Sequence, residues 1–226
     1  MSNNTRPDVY RRVHRGLRSA LFDLGSLAGR TVWTDAEEVA RLETQFFTVF
    51  EFLKSHGEME DTYQLPLLES KMPGITAVDT EEHEAIEHAI EEVEAALAAA
   101  IIAPMEERRA AGEHFFHRLC LFIGMYLHHM THEETVTTAH FHRYCTDEEI
   151  IDAGRRLVAA LGPQAVARAV GFMLPAMDAV DRLEYVRTVT AALPPAAATS
   201  LMGLAETSLT AAEFERLASE LGWIAA

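Results

Sequence analysis

Residues 126–137 read "YLHHMTHEETVT". Three histidines and two glutamates crowd into seven positions there, directly after the apolar run "LCLFIGMYL" at 119–127. No proline separates the two stretches, so one helix is expected to carry both. Its inward stripe, Leu119, Phe122, Tyr126, His129, Glu133 and Val136, alternates three- and four-residue steps, the period of a bundle helix. A polar turn on the same face as an apolar stripe needs a partner other than water or hydrocarbon.

Three further stripes have the same character. The first runs Tyr10, His14, Leu17, Leu21, Leu24, Ala28. The second runs Leu42, Phe46, Val49, Leu53, His56, Glu60, Tyr63, Leu67. The third runs His83, Ile86, Ile90, Val93, Leu97. Helix punctuation supports four long segments. They are expected at about Asp8–Ala28, stopped by Gly29; from a Thr34/Glu37 capping box toward Pro66; from Asp79 or Thr80 to Ile102; and from Pro104 to about His142. Short connections between long helices predict an all-α, up-down-up-down four-helix bundle. After Cys145 the segments shorten. Helix starts at Thr146/Glu149 and Thr210/Glu213, with stops at Gly162 and Gly222, predict a C-terminal helical appendage of four or five short helices. The expected division is a metal-binding bundle over 1–144 and a small helical module over 145–226.

Composition sets outer limits. The chain has 226 residues, 49% of them hydrophobic, which is ample for a core. A net charge of -16 argues against nucleic acid or an anionic membrane as partner and draws in cations. The two cysteines, Cys120 and Cys145, lack the spacing of a metal knuckle or redox motif and are expected to be reduced thiols. The N-terminus "MSNNTRPD" has no apolar signal core, and no apolar run approaches the roughly 20 residues of a membrane span. These features predict a cytoplasmic protein.

The histidines share a depth as well as a face. In an antiparallel bundle the start of the first helix lies beside the end of the second, the start of the third and the end of the fourth. His14, His56, Glu60, His83, His129 and Glu133 are therefore expected to converge at one end. Histidine accounts for 11 of 226 residues, so composition alone does not explain four stripes that each hold one. Buried polar groups need partners, at about 1–3 kcal/mol each if left without, and a bound cation satisfies all six. Four imidazoles and two carboxylates without thiolate suit iron, manganese or zinc, and six ligands suit two adjacent metals better than one tetrahedral zinc. Two iron ions are the first expectation, with manganese or zinc as alternatives.

The residues resemble the hemerythrin-like (HHE cation-binding) family. The resemblance rests on His14 in "VHRGLR"; His56, Glu60 and Pro66 in "HGEMEDTYQLPLL"; His83 in "EEHEAI"; and His129, Glu133 and Glu134 in "HMTHEE". It covers about residues 8–142. It implies a four-helix bundle with a non-haem di-iron centre and chemistry with oxygen, nitric oxide, peroxide or iron itself. One departure stands out. Where the oxygen carriers of the family place a second histidine on the third helix, this chain has Glu87. His88 falls about 140° around the helix from His83 and is expected to be solvated. A simple oxygen-carrier role is thereby put in doubt.

The rest of the polar set is expected outside the ligand group. His128 and His132 form a second i, i+4 pair that a rotated helix would bring in. Glu58 and Glu134 sit off the ligand face, and Tyr10, Tyr63 and Tyr126 lie one turn from proposed ligands. Leu17, Phe46, Leu53, Ile86 and Phe122 are expected to form the dry side of the site. No activated nucleophile or phosphate loop is present, so no catalytic residue is assigned. Two roles fit: a protein that binds or reacts with a diatomic molecule or peroxide, or a metal or gas sensor acting without turnover. The sensor would signal through the C-terminal helices to a protein partner or a second copy of the chain.

Overall fold

The structure, a computed structural model, describes residues 6–223, leaving the polar stretch 1–5 outside. Every regular element among the described residues is helical: α1 Arg11–Arg30, α2 Ala36–Met59, α3 Leu65–Lys71, α4 Ala77–Ile102, α5 Arg108–His132, α6 Thr138–Tyr144, α7 Asp147–Ala160, α8 Pro163–Ala176, α9 Ala179–Ala192, α10 Pro195–Ser208 and α11 Ala211–Leu221. α2 passes into α3, and α5 into α6, through π-helical turns at Glu60–Gln64 and Glu133–Thr137.

Boundaries follow local chemistry. Asp8 Oδ1 accepts from the Tyr10 and Arg11 backbone N–H groups, so α1 opens after Tyr10. Gly29 lies inside α1 and does not stop it. Its missing Cβ gives room to the Phe116 ring, 3.1 Å from where that atom would sit. The cap of α2 is Asp35, which accepts from Glu37 and Glu38, and not the expected Thr34. α4 starts two residues before Asp79, and α5 starts at Arg108, after a turn on the Pro104 carbonyl. Pro66 does not end the second helix. It sits in the first turn of α3 just after a π turn, where the i→i−4 ladder is already interrupted and a missing N–H costs little.

Clustering of the chain gives two compact units. The first comprises residues through Arg11 and Ala20–Ala160; the second comprises Arg12–Ser19 and the chain from Leu161 on. In the first unit, Lys54 meets Glu94 and Asp61 meets His83, so α2 and α4 run antiparallel. Glu92 meets Arg118 and Asp79 meets Thr137, so α4 and α5 are antiparallel too. Gly25 against Ile123 and Gly29 against Phe116 set α1 antiparallel to α5. An aromatic stack of Phe46, Phe50, Phe115 and Phe122, with Trp33 edge-on to Phe115, fills the core. A second apolar cluster of Tyr10, Leu68, Phe141, Cys145 and Ile150 lies past the π turns. The two cysteines are free thiols, as expected.

The second unit has its own core, including Val170, Leu174, Val186, Met202, Ala205 and Leu217. The buried Arg182 donates to the Leu174 and Met177 carbonyls and to Glu213. Thr210 and Glu213 form the expected capping box of α11, and Gly222 ends that helix in the left-handed region. Gly162 caps the start of α8 and does not close α7. Among the described residues five helices follow Cys145, at the upper end of the expected number.

Gly112 on α5 abuts the indole of Trp33, which is 7% exposed. A Cβ there collides with the ring and has nowhere to send it. Gly112→Ala is expected to cost about 1–3 kcal/mol, read as a lower denaturation midpoint at unchanged metal content.

Candidate metal centre

α2 and α5 end in the same device. Each carries histidine and glutamate four residues apart, on one face, and each turns π-helical at the glutamate. The wider turn shifts the inward register by one residue. Inward positions then run Glu60, Gln64, Leu68 and Glu133, Thr137, Phe141. The sequence pattern placed Tyr63, Leu67 and Val136 there. Instead Tyr63 and Leu67 are half-buried and Val136 is exposed. The π turns are thus the physical reason for that correction.

His14, Glu60, His83, His129 and Glu133 are buried, and the His56 side chain is 8% exposed. Two groups of donor atoms form, each with all members within 4.8 Å of one another. One is His14, His56, Glu60 and Glu133; the other is Glu60, His83, His129 and Glu133. The second lies wholly in the first unit. His56, Glu60 and Glu133 of the first group lie in that unit too, while His14 is counted with the second unit. His56 Nε2 is 3.1 Å from Glu60 Oε1, and His129 Nε2 is 3.3 Å from Glu133 Oε2. His83 Nε2 reaches toward both carboxylates, 3.6 Å from Glu60 and 3.8 Å from Glu133. The His83 and His129 rings meet edge to face at 4.8 Å.

Two carboxylates that the sequence pattern left unassigned orient these rings. Asp61 is 2.7 Å from His83 Nδ1, and Glu82 is 2.8 Å from His129 Nδ1. A carboxylate on Nδ1 fixes that nitrogen as the donor and leaves Nε2 to coordinate, the usual support for a metal-bound imidazole. The only sequence signal was adjacency: each sits one residue from a proposed ligand.

The donor set fits a cation on a direct observation. Both Glu60 oxygens and His83 Nε2 are buried and make no hydrogen bond of good geometry; their nearest partners are the other proposed ligands, His56 at 3.1 Å and His83 at 3.6 Å from Glu60. Burial first, and the Glu133 charge second, raise the Glu60 pKa well above its ordinary value. Burial lowers that of His83, but the pull of Asp61 and Glu133 outweighs it and holds the imidazole at about 10. Protons thus do part of the neutralising that a metal would do.

The surrounding polar residues sort as expected, with refinements. His88, His128 and Glu58 are exposed, and Glu134 is half-buried. His132 turns to Asp79, 3.8 Å away, and away from the donor group. Glu87 is exposed and stands on the wall of a cleft whose lining includes His83 and His129. Tyr10 and Tyr126 are buried, and burial, then the nearby carboxylates, push both phenols well above their ordinary pKa. Both therefore keep their protons. Leu17, Phe46, Leu53, Ile86 and Phe122 are all buried, and Leu53 and Ile86 line the cleft that His83 and His129 also line.

The raised pKa values have a sign. Above about pH 4.5 the unfolded chain has lost the proton that folded Glu60 retains, and above about pH 6.5 the same holds for His83 up to its folded value. The metal-free protein is therefore expected to lose stability as pH rises from about 5 to about 8, measured by calorimetry. A bound cation replaces the protons, so metal affinity rises over the same range with proton release.

No curated protein sequence matches the chain. The family model described as the hemerythrin HHE cation binding domain matches residues 5–141, a span that contains both histidine–glutamate turns and all four histidines of the cluster. The chain therefore belongs to the hemerythrin HHE cation-binding family.

Proposed function

We propose that this protein holds two iron ions and uses them to bind or transform oxygen, nitric oxide or peroxide. The observation that carries the reading is the sharing of Glu60 and Glu133 by both donor groups. Two carboxylates common to two histidine pairs suit bridging between adjacent metals, whereas one ion would leave donors unused. In this reading α1, α2, α4 and α5 run up-down-up-down, the metal-binding bundle spans 1–144, and 145–226 forms a helical module.

His14 and His56 would hold one ion, His83 and His129 the other, with Glu60 and Glu133 between them. When bound, the iron pair supplies electrons and positive charge to the small molecule. The chain's own part is positional and electrostatic. Asp61 and Glu82 keep two imidazoles in the coordinating tautomer. Tyr126, protonated and 3% exposed, lies beside His129 and offers a hydroxyl donor. Leu53 and Ile86 put apolar surface on the cleft beside His83 and His129.

One observation favours the sensor reading as a second possibility. Arg12 and Arg15, on either side of His14, both pair with the buried Asp181 of α9, at 3.0 and 3.1 Å. A helix that carries a proposed ligand is thus tied to the C-terminal helices. Under this reading Asp181→Asn changes the hydrodynamic response to oxidation, and turnover stays negligible.

Anaerobic loading is expected to give two irons per chain and a near-ultraviolet charge-transfer band that changes with oxygen, peroxide or nitric oxide. His56→Ala should lower metal content, and His88→Ala should leave it unchanged. Retention of full metal by His56→Ala contradicts the assignment. Asp61→Asn and Glu82→Gln are expected to weaken affinity about 10–100-fold, measured by competition with a chelator.

A further inference from the structure

Beside the donor cluster lies an open cleft of about 230 Å³. Its walls carry Glu58, Asp61, Glu87 and Glu91, and its floor includes His83 and His129. The one cationic side chain on the rim, Lys54, is paired with Glu94 at 2.6 Å. An adjoining hollow shares Asp61, His83 and Glu87 and adds Glu69 and Glu84. The negative wall therefore continues around the foot of α4. The cleft reaches the donor group itself: His83 and His129, whose Nε2 atoms face Glu60 and Glu133, are part of its lining.

The geometry points to this cleft as the port through which a hydrated divalent cation enters to load the metal centre, with Glu58, Glu87 and Glu91 gathering the ion and His83 receiving it. The inference rests on the proposed metal centre and adds its route of filling. Size permits it: one water needs about 10–15 Å³ of such volume, so the cleft takes an ion with its water shell. Charge favours it: Lys54 and His83 in the lining are each paired with a carboxylate, Glu94 and Asp61, which leaves Glu58, Glu87 and Glu91 as an excess of negative charge, and such an excess between low-dielectric walls concentrates counter-ions and speeds their arrival by about 10- to 1000-fold. Glu87 is exposed and stands on the cleft wall.

The test is stopped-flow uptake of Co²⁺ by the full-length metal-free chain, followed by the visible absorption of the bound ion. The triple variant Glu58→Gln, Glu87→Gln, Glu91→Gln alters only exposed side chains. A control, Glu106→Gln, Glu107→Gln, Glu113→Gln, removes the same charge at the α4–α5 turn and early α5. Wild type and control should load at the same rate, slowing steeply with added salt. The port variant should load about tenfold more slowly at low salt, with little salt dependence, yet reach wild-type Co²⁺ content. Equal rates for port variant and wild type, or equal slowing in the control, overturn the port while leaving the metal centre standing. Absence of Co²⁺ uptake by wild type overturns the centre and the port together.

Discussion

Two glutamates face each other inside a helical core, and the first unit is arranged around that fact. Glu60 and Glu133 are both fully buried. A carboxylate in such a place loses its hydration and repels its twin, at a cost of several kcal/mol per ion unless something positive or a proton sits between them. His56, His83 and His129 lie against the pair, and the metal-free balance is struck with protons, on Glu60 by burial and on His83 by its carboxylate neighbours. A cation relieves the same conflict with no need to protonate a ligand. The site is thus destabilising as bare protein and becomes part of the fold's support once filled, the usual linkage of metal and folding.

That conflict also accounts for why the helices run on past the cluster. If α2 and α5 ended at Glu60 and Glu133, the carboxylates would open to water. Instead each helix widens into a π turn and continues as α3 or α6, so that Leu68 and Phe141 join Tyr10 beyond the site. The extra residue in each π turn aims the next inward position at Gln64 or Thr137, and Thr137 donates to Asp79. π turns weaken helical hydrogen bonding and are found mostly where function requires them. Here one begins at each shared glutamate.

Much of this was legible in the residues. The stripes singled out the six residues that supply the two candidate donor groups, because a histidine on an apolar face is a contradiction that periodicity exposes. The same periodicity failed one turn later. Tyr63 and Val136 fit a 3.6-residue repeat, and no pattern announces that the chain will take a wider turn at that point. Asp61 and Glu82 were illegible for another reason. Each sits one position, about 100°, from the ligand face, where a carboxylate normally meets solvent. Only the neighbouring helix, which brings His83 to Asp61 and His129 to Glu82, turns them into supports. Helix ends erred similarly: Gly29 looked like a stop, yet the close approach of Phe116 explains it better.

The two supported histidines and the cleft lie on the same side of the cluster, and this asymmetry constrains how the centre works. His83 and His129 each have one nitrogen held by a carboxylate and the other directed at the shared glutamates. Fixed rings can border an opening without collapsing into it, because their orientation does not depend on what fills the space. An anionic partner on Nδ1 also makes the imidazole a stronger donor, which suits an ion exposed to an incoming ligand. Leu53 and Ile86 add apolar surface to the same cleft. Under the function proposed above, an incoming ligand would meet the His83–His129 side, where ring support and the cleft coincide.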